Sequence, residues 1–183
     1  MIWNAALYIK SAVCSIGFRI RGTQSAIVSC DGRFPVLHRE GTIWIGSHLA
    51  LRGRVARCEI GADRNALLKI GERVFINQGT TIVAACYIEI GDDTMIGDFV
   101  AIYDSNYHRV DPYQPVRSSP VIIGSNVWLG HGVVVLPGSK VGDHTVVAAG
   151  SIVRGELPPC VLAAGNPARA VREFDVPAGW RRD

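Results

Sequence analysis

Residues 121–153 read VIIGSNVWLGHGVVVLPGSKVGDHTVVAAGSIV, and this stretch counts in sixes. An aliphatic residue recurs at Ile123, Leu129, Val135, Val141, Val147 and Val153. Glycine follows it at Gly124, Gly130 and Gly142, and two positions before it stand Val121, Val127, Val133, Ser139, Thr145 and Ser151, all β-branched or small. A period of six matches neither the 3.6 of a helix nor the 2 of a strand. It suits an all-β solenoid of hexapeptides, in which each unit supplies a short strand and a turn and three units close one coil. Coils then stack at the usual strand spacing of ~4.8 Å, with the aliphatic residue pointing inward.

The same phase runs upstream through Ile70-Gly71, Ile76 and Ile82, and again through Ile90-Gly91, Ile96-Gly97 and Ile102. Ile45-Gly46 and Leu51 are six apart, but Ile60-Gly61 is out of phase with them. Ile82 to Ile90 is eight residues, one repeat plus two, so a turn bulges between them. Ile102 to Ile123 is 21 residues, one repeat plus fifteen, which makes residues 103–120 an inserted loop. The expected organisation is a helix and irregular lead-in over 1–40, a β-helix domain over 41–174 carrying that loop, and a tail over 175–183. The spacing of Ile2, Ala5, Ala6, Ile9, Val13 and Ile16 predicts the N-terminal amphipathic helix. Asn166-Pro167 reads as a helix N-cap followed by proline at the first helical position, which predicts a short closing helix through about Phe174.

Composition fits one domain with narrow coils: 48% of the residues are hydrophobic but only 8% aromatic. A net charge of +3 argues against a nucleic-acid binder. Five scattered cysteines with no CxxC read as reduced thiols of a cytoplasmic protein. No run of ~20 apolar residues predicts a membrane span. The N-terminal helix lacks the basic start of a signal peptide. It reads as packing on the solenoid or a neighbouring subunit, or as resting on the inner face of the membrane.

In a regular scaffold, chemistry belongs where the count breaks. The inserted loop holds His108, a candidate general base, with Asp104 and Asp111 near enough in sequence to orient its ring. Asn77 follows the inward Ile76 where glycine would be typical, and its amide suits an acceptor hydroxyl or a thioester carbonyl. Asn77 and Asp104 are the substrate-side candidates. Trp128 precedes an inward residue, so its ring faces out. Arg169 and Arg172, i and i+3 on the expected helix, would share a face suited to phosphates.

The run from Ile122 to Val153, followed by LPPCVLAAGNPARAVREF, resembles the left-handed β-helix, hexapeptide-repeat acetyltransferases. The branch it most resembles comprises the maltose and galactoside O-acetyltransferases and the enzymes that acetylate surface polysaccharides. The resemblance implies a homotrimer that moves acetyl from acetyl-CoA to a sugar or glycan hydroxyl, with no metal required. It maps the base to His108, the substrate amide to Asn77, and CoA contacts to Trp128, His131, Ala149, Arg169 and Arg172. After the AGSIV run the family usually has Thr-Lys, whereas here Arg154-Gly155 follow, and Arg154 is carried as a further CoA-phosphate contact. The loop reads Asn-Tyr-His-Arg rather than Gly-His-Pro, so maltose or galactoside is not implied as the acceptor. Three rivals stand beside this reading: an N-acetyltransferase acting on an amino-sugar or antibiotic, a non-enzymatic trimeric platform, and a trimeric zinc carbonic anhydrase using His108, His131 and His144.

Overall fold

The computed structural model describes Ser15 and residues 27–182. Three strands make each of six coils. The first coil is β1 (Val28–Gly32), β2 (Val36–Arg39) and β3 (Thr42–Ile45), and the second is β4 (Leu49–Gly53), β5 (Glu59–Ala62) and β6 (Leu67–Ile70). The third is β7 (Phe75–Ile76), β8 (Thr81–Ala84) and β9 (Tyr87–Ile90), and the fourth is β10 (Met95–Ile96), β11 (Ala101–Tyr103) and β12 (Val121–Ile123). The fifth is β13 (Trp128–Leu129), β14 (Val134–Val135) and β15 (Lys140–Val141), and the sixth is β16 (Val146–Val147), β17 (Ile152–Val153) and β18 (Glu156–Leu157). β19 (Val161–Gly165) and β20 (Ala168–Glu173) close the end.

Three parallel sheets result. The first runs β1-β4-β7-β10-β13-β16-β19, with β20 added antiparallel; the second is β2-β5-β8-β11-β14-β17; the third is β3-β6-β9-β12-β15-β18. Where the count is unbroken, one coil is eighteen residues, so Leu129 pairs with Val147 and Val135 with Val153. Every aliphatic residue of the six-count, from Ile123 to Val153, is 2% exposed or less. The residues two before them are buried as well, and the polar ones turn their hydroxyls onto carbonyls of the next coil. Thr80 donates to the Gly97 carbonyl at 2.8 Å, Thr94 to Gly124 at 2.9 Å and Thr145 to Pro158 at 2.7 Å, which meets the rule that buried polar groups be paired.

The edge between the third and first sheets is a column of left-handed residues that are not glycine: His48, Arg73, Asp93, Asn126, His144 and Cys160, with φ between 56° and 62° apart from Arg73 at 55°. Their side chains fill this edge, a point that matters at the site. The breaks in the count also stack. Residues 63–66, 85–86 and 104–120 all lie where the second sheet turns into the third, in successive coils.

Two expectations are corrected. Residues 28–40 are not an irregular lead-in but strands of the first coil; Val28 pairs with Leu49 and Leu37 with Ile60. Residues 161–174 form no helix. β19 continues the first sheet and β20 folds back on it through a cis Asn166-Pro167 bond, so the dipeptide makes a tight turn rather than a helix start. The antiparallel return covers the open edge of the sheet. The expected N-terminal helix lies outside the described residues apart from Ser15, whose hydroxyl bonds both the N–H (2.9 Å) and the carbonyl (3.2 Å) of Val28. No helix among the described residues is long and apolar enough to cross a membrane.

Candidate active site

A groove of about 800 Å³ runs along the outer face of the first sheet. Its floor is one column of paired residues, Phe75, Met95, Trp128, Val146 and Leu162, each facing outward because its neighbour faces in. Trp128 is 46% exposed there. One wall is the corner between the first and second sheets, made of Gly97-Asp98, Gly130-His131 and Ala148-Ala149. A Cβ on Gly97 would sit 2.8 Å from the Leu129 carbonyl oxygen, and one on Gly130 would sit 2.7 Å from the Ala149 nitrogen. Glycine at these steps lets the coils stack and leaves the wall as bare backbone. His131 Nδ1 lies 3.1 Å from Asp98 Oδ2, and its ring meets Phe99 edge-on at 5.8 Å.

Asn77 closes one end of the groove. Its Oδ1 accepts the Gln78 N–H at 2.9 Å, and its Nδ2 makes no hydrogen bond among the described residues. Beneath it the Cys58 thiol lies 3.2 Å from the Asn77 carbonyl oxygen. Burial pushes the Cys58 thiol up to about 11, and burial together with Asp104 pushes Cys86 up to about 11. Both stay protonated and poorly nucleophilic at neutral pH.

The opposite wall is the C-terminal tail. Asn126 holds it, donating from Nδ2 to the Trp180 carbonyl (3.2 Å) and accepting the Arg182 N–H on Oδ1 (2.8 Å). A second cavity of about 480 Å³ continues behind Trp128 and is lined by Leu162, Arg172, Phe174 and the tail.

His108 occupies a different edge. The loop that carries it is fixed at its base by Asp104, whose carboxylate is fully buried and accepts the backbone N–H groups of Ala85 (2.7 Å), Cys86 (2.8 Å) and Tyr87 (2.6 Å). The Ser119 N–H bonds the Asp104 carbonyl at 2.7 Å, and Ser105 bridges Ser118. Tyr107, in the left-handed region at φ 55°, donates its hydroxyl to the Val83 carbonyl (3.3 Å) and packs edge-on against Tyr103. Burial, with Asp63 and Asp104 adding to it, raises the Tyr107 phenol above the ordinary tyrosine range, so it remains a donor. This anchors the residue before His108 and leaves His108 itself exposed, beside a cavity of about 400 Å³ shared with Asp111, Arg117 and Arg154.

The expected site residues therefore divide. Trp128, His131, Ala149 and Asn77 gather in the groove, and Arg172 lines its extension. Arg154 lies with His108 rather than with Trp128, because it follows Val153 at the loop edge. Arg169 turns its guanidinium to the Ala168 carbonyl at 2.8 Å and lines neither cavity. On β20 a bulge opposes Arg172 to Leu162 and Arg169 to Ala164, so the pair shares a sheet face instead of a helix face. Asp104 is corrected: its oxygens are spent on three backbone N–H groups, so it holds the loop and touches neither substrate nor the His108 ring. Asp111 likewise accepts the Tyr113 N–H at 2.9 Å. His108, His131 and His144 stand on three different edges of the protomer, and no metal-binding cluster occurs among the described residues. His108 and Asn77 lie at opposite edges of the second sheet. Phe75 and Met95 were legible by period, each preceding an inward isoleucine as Trp128 precedes Leu129; Trp180 and Arg182 have no such pattern.

A family profile described as "Bacterial transferase hexapeptide (six repeats)" matches residues 120–155. Galactoside O-acetyltransferase of Escherichia coli K12 is 38% identical over 111 residues, 59% of this chain and 55% of that enzyme. The chain thus spans little more than half the length of that relative. The "Putative lipopolysaccharide biosynthesis O-acetyl transferase WbbJ" of Escherichia coli K12 is 31% identical over 156 residues, 78% of each chain. Among solved structures, a galactoside acetyltransferase in complex with coenzyme A aligns with a TM-score of 0.54 at 29% identity, covering 76% of this chain and 65% of that one.

Proposed function

The chain belongs to the hexapeptide-repeat, left-handed β-helix acetyltransferases, and from that premise we propose that it moves an acetyl group from acetyl-CoA to a hydroxyl of a sugar or surface glycan. The observation that carries this reading is the apolar groove ending at Asn77. A slot of several hundred Å³ with few convergent polar groups fits a pantetheine arm. A galactoside acetyltransferase among the relatives is solved with coenzyme A, and others are named for O-acetyl transfer. The groove end and His108 occupy two edges of one prism, so they meet when a second copy sets its His108 edge against Asn77. Three such head-to-tail contacts close a ring, which is a homotrimer.

In that ring His108 removes the proton from the acceptor hydroxyl, and the oxygen attacks the thioester carbonyl. The C–S bond then breaks, and the thiolate of CoA takes the proton back from the imidazolium. The Asn77 Nδ2 is the donor at hand for the developing oxyanion, since the N–H groups of Gly97, Gly130 and Ala148 are spent on carbonyls of the next coil. No cysteine or serine lines the groove among the described residues, and transfer runs directly between the two bound substrates, without an acyl-enzyme.

The purified chain is expected to release CoA from acetyl-CoA only when a suitable glycan or sugar is added, with an alkali-labile ester as product. A product stable to alkali would instead mark N-acetylation. Failure to bind CoA in calorimetry would leave a scaffold role. Arg154→Ala is expected to raise the acceptor KM roughly tenfold while the KM for acetyl-CoA holds. The opposite split would return Arg154 to the cofactor.

A further inference from the structure

We propose that the C-terminal tail is a built part of the cofactor groove and that Arg182 binds a phosphate of CoA, an inference that rests on the acetyl-CoA reading above. The tail is not loosely draped. Arg181 Nε lies 3.7 Å from Asp93 Oδ2, a carboxylate that Arg73 already holds below its usual range. Asn126 clamps Trp180 and Arg182 from both ends of its amide, and that amide is itself fixed by His144 Nδ1 at 2.7 Å. The left-handed corner column thus ends in a docking strip for residues 180–182.

Among the described residues, this strip presents a cation without an anion. The Arg182 guanidinium lies 4.9 Å from the Trp180 ring centroid and 6.0 Å from that of Trp128. One Nη donates to the His144 carbonyl at 3.2 Å. Its Nε is buried and has no hydrogen-bond partner among the described residues. Burial works against its charge, and no carboxylate is paired with it among the described residues. An enclosed N–H with no acceptor is costly, and a guanidinium held beside two indoles offers the planar, two-point recognition of phosphate oxygens. The position suits the nucleotide end. Arg182 borders both the groove and its extension behind Trp128, whereas the reacting end lies at Asn77. From Phe75 to Trp128, beside which Arg182 lies, the floor climbs two coil steps of ~4.8 Å, about 10 Å of apolar track along the stack for the pantetheine arm.

The test compares Arg182→Gln with wild type on acetyl-CoA and on S-acetylpantetheine, which carries the thioester but no phosphate. Wild type is expected to prefer acetyl-CoA in kcat/KM, and the variant to narrow that preference about 10–100-fold, as loss of a charge-assisted contact predicts. Arg182→Lys should keep part of it, having charge without the fork. If the variant weakens both substrates equally, or leaves the preference intact, Arg182 is only a strut for the tail and the assignment falls. If wild type shows no binding of CoA at all, the acetyl-CoA reading itself fails, a result distinct from either.

Discussion

His108→Ala is expected to lower kcat by about 10²–10⁴-fold, the range for loss of a general base, while acetyl-CoA binding by calorimetry stays within about twofold. The size follows from chemistry: a sugar hydroxyl is a poor nucleophile until its proton is taken. The split follows from geometry, since His108 borders the loop cavity and none of the cofactor groove. An equal fall in CoA affinity would make His108 a cofactor contact, and near-normal turnover would remove it as the base. A companion experiment tests where its partner comes from. In a ring, each site takes His108 from one subunit and Asn77 from the next. Co-expressing His108→Ala with Asn77→Ala, each inactive alone, then makes mixed trimers in which one site of three is whole. At equal amounts three quarters of the trimers are mixed, so activity should recover to about a quarter of wild type. No recovery would place both residues in one subunit's site and contradict the separation of the two edges.

The regular part of the fold was legible because it is dictated by a single repeating choice. An aliphatic residue every sixth position is buried at every coil from Ile123 to Val153, and the count foretold both the bulge before Ile90 and the loop before Ile123. The period faded where the strands lengthen. β1 to β6 have four or five residues, three of them (β3, β4 and β6) alternate as ordinary strands, and their corners have extra residues, so 28–40 resembled a lead-in. The C-terminal misreading had another cause. Asn-Pro serves a helix start and a tight turn equally well, and only the pairing of Val161–Gly165 with Ala168–Glu173 decides between them. The site was legible one edge at a time. The outward phase of Trp128 and the loop position of His108 come from the count, but which corner each residue occupies depends on the number of extra residues before it. Arg154 was set beside the cofactor by the resemblance alone, and Asp104 was taken for a partner of its sequence neighbour when its carboxylate had turned back to the previous coil.

That turned-back carboxylate carries the largest stability effect expected in this chain. Asp104→Ala leaves the N–H groups of Ala85, Cys86 and Tyr87 enclosed with no acceptor, and each lost bond to a charged group is worth ~1.5–3 kcal/mol. Partial relaxation of the corner and entry of water reduce the sum, so about 3–5 kcal/mol is expected. For a chain of this size that is a fall in Tm of roughly 10–15 °C. Asp104→Asn should recover only part of it, because an amide offers one oxygen and turns an N–H₂ towards the remaining donors. In a solenoid each coil is held by its neighbours, so the damage concentrates between the coils of β8–β9 and β11–β12. Amide exchange should quicken first at residues 85–87 and 105–119, ahead of β13 to β19. Turnover should fall with it, since the same residue roots the loop that presents His108, whereas CoA binding at Trp128 should persist at temperatures where the variant is folded. An unchanged Tm, or exchange that quickens evenly along the chain, would mean that the three bonds are dispensable and that the loop is held by its Ser105–Ser118 bridge and Tyr107 instead.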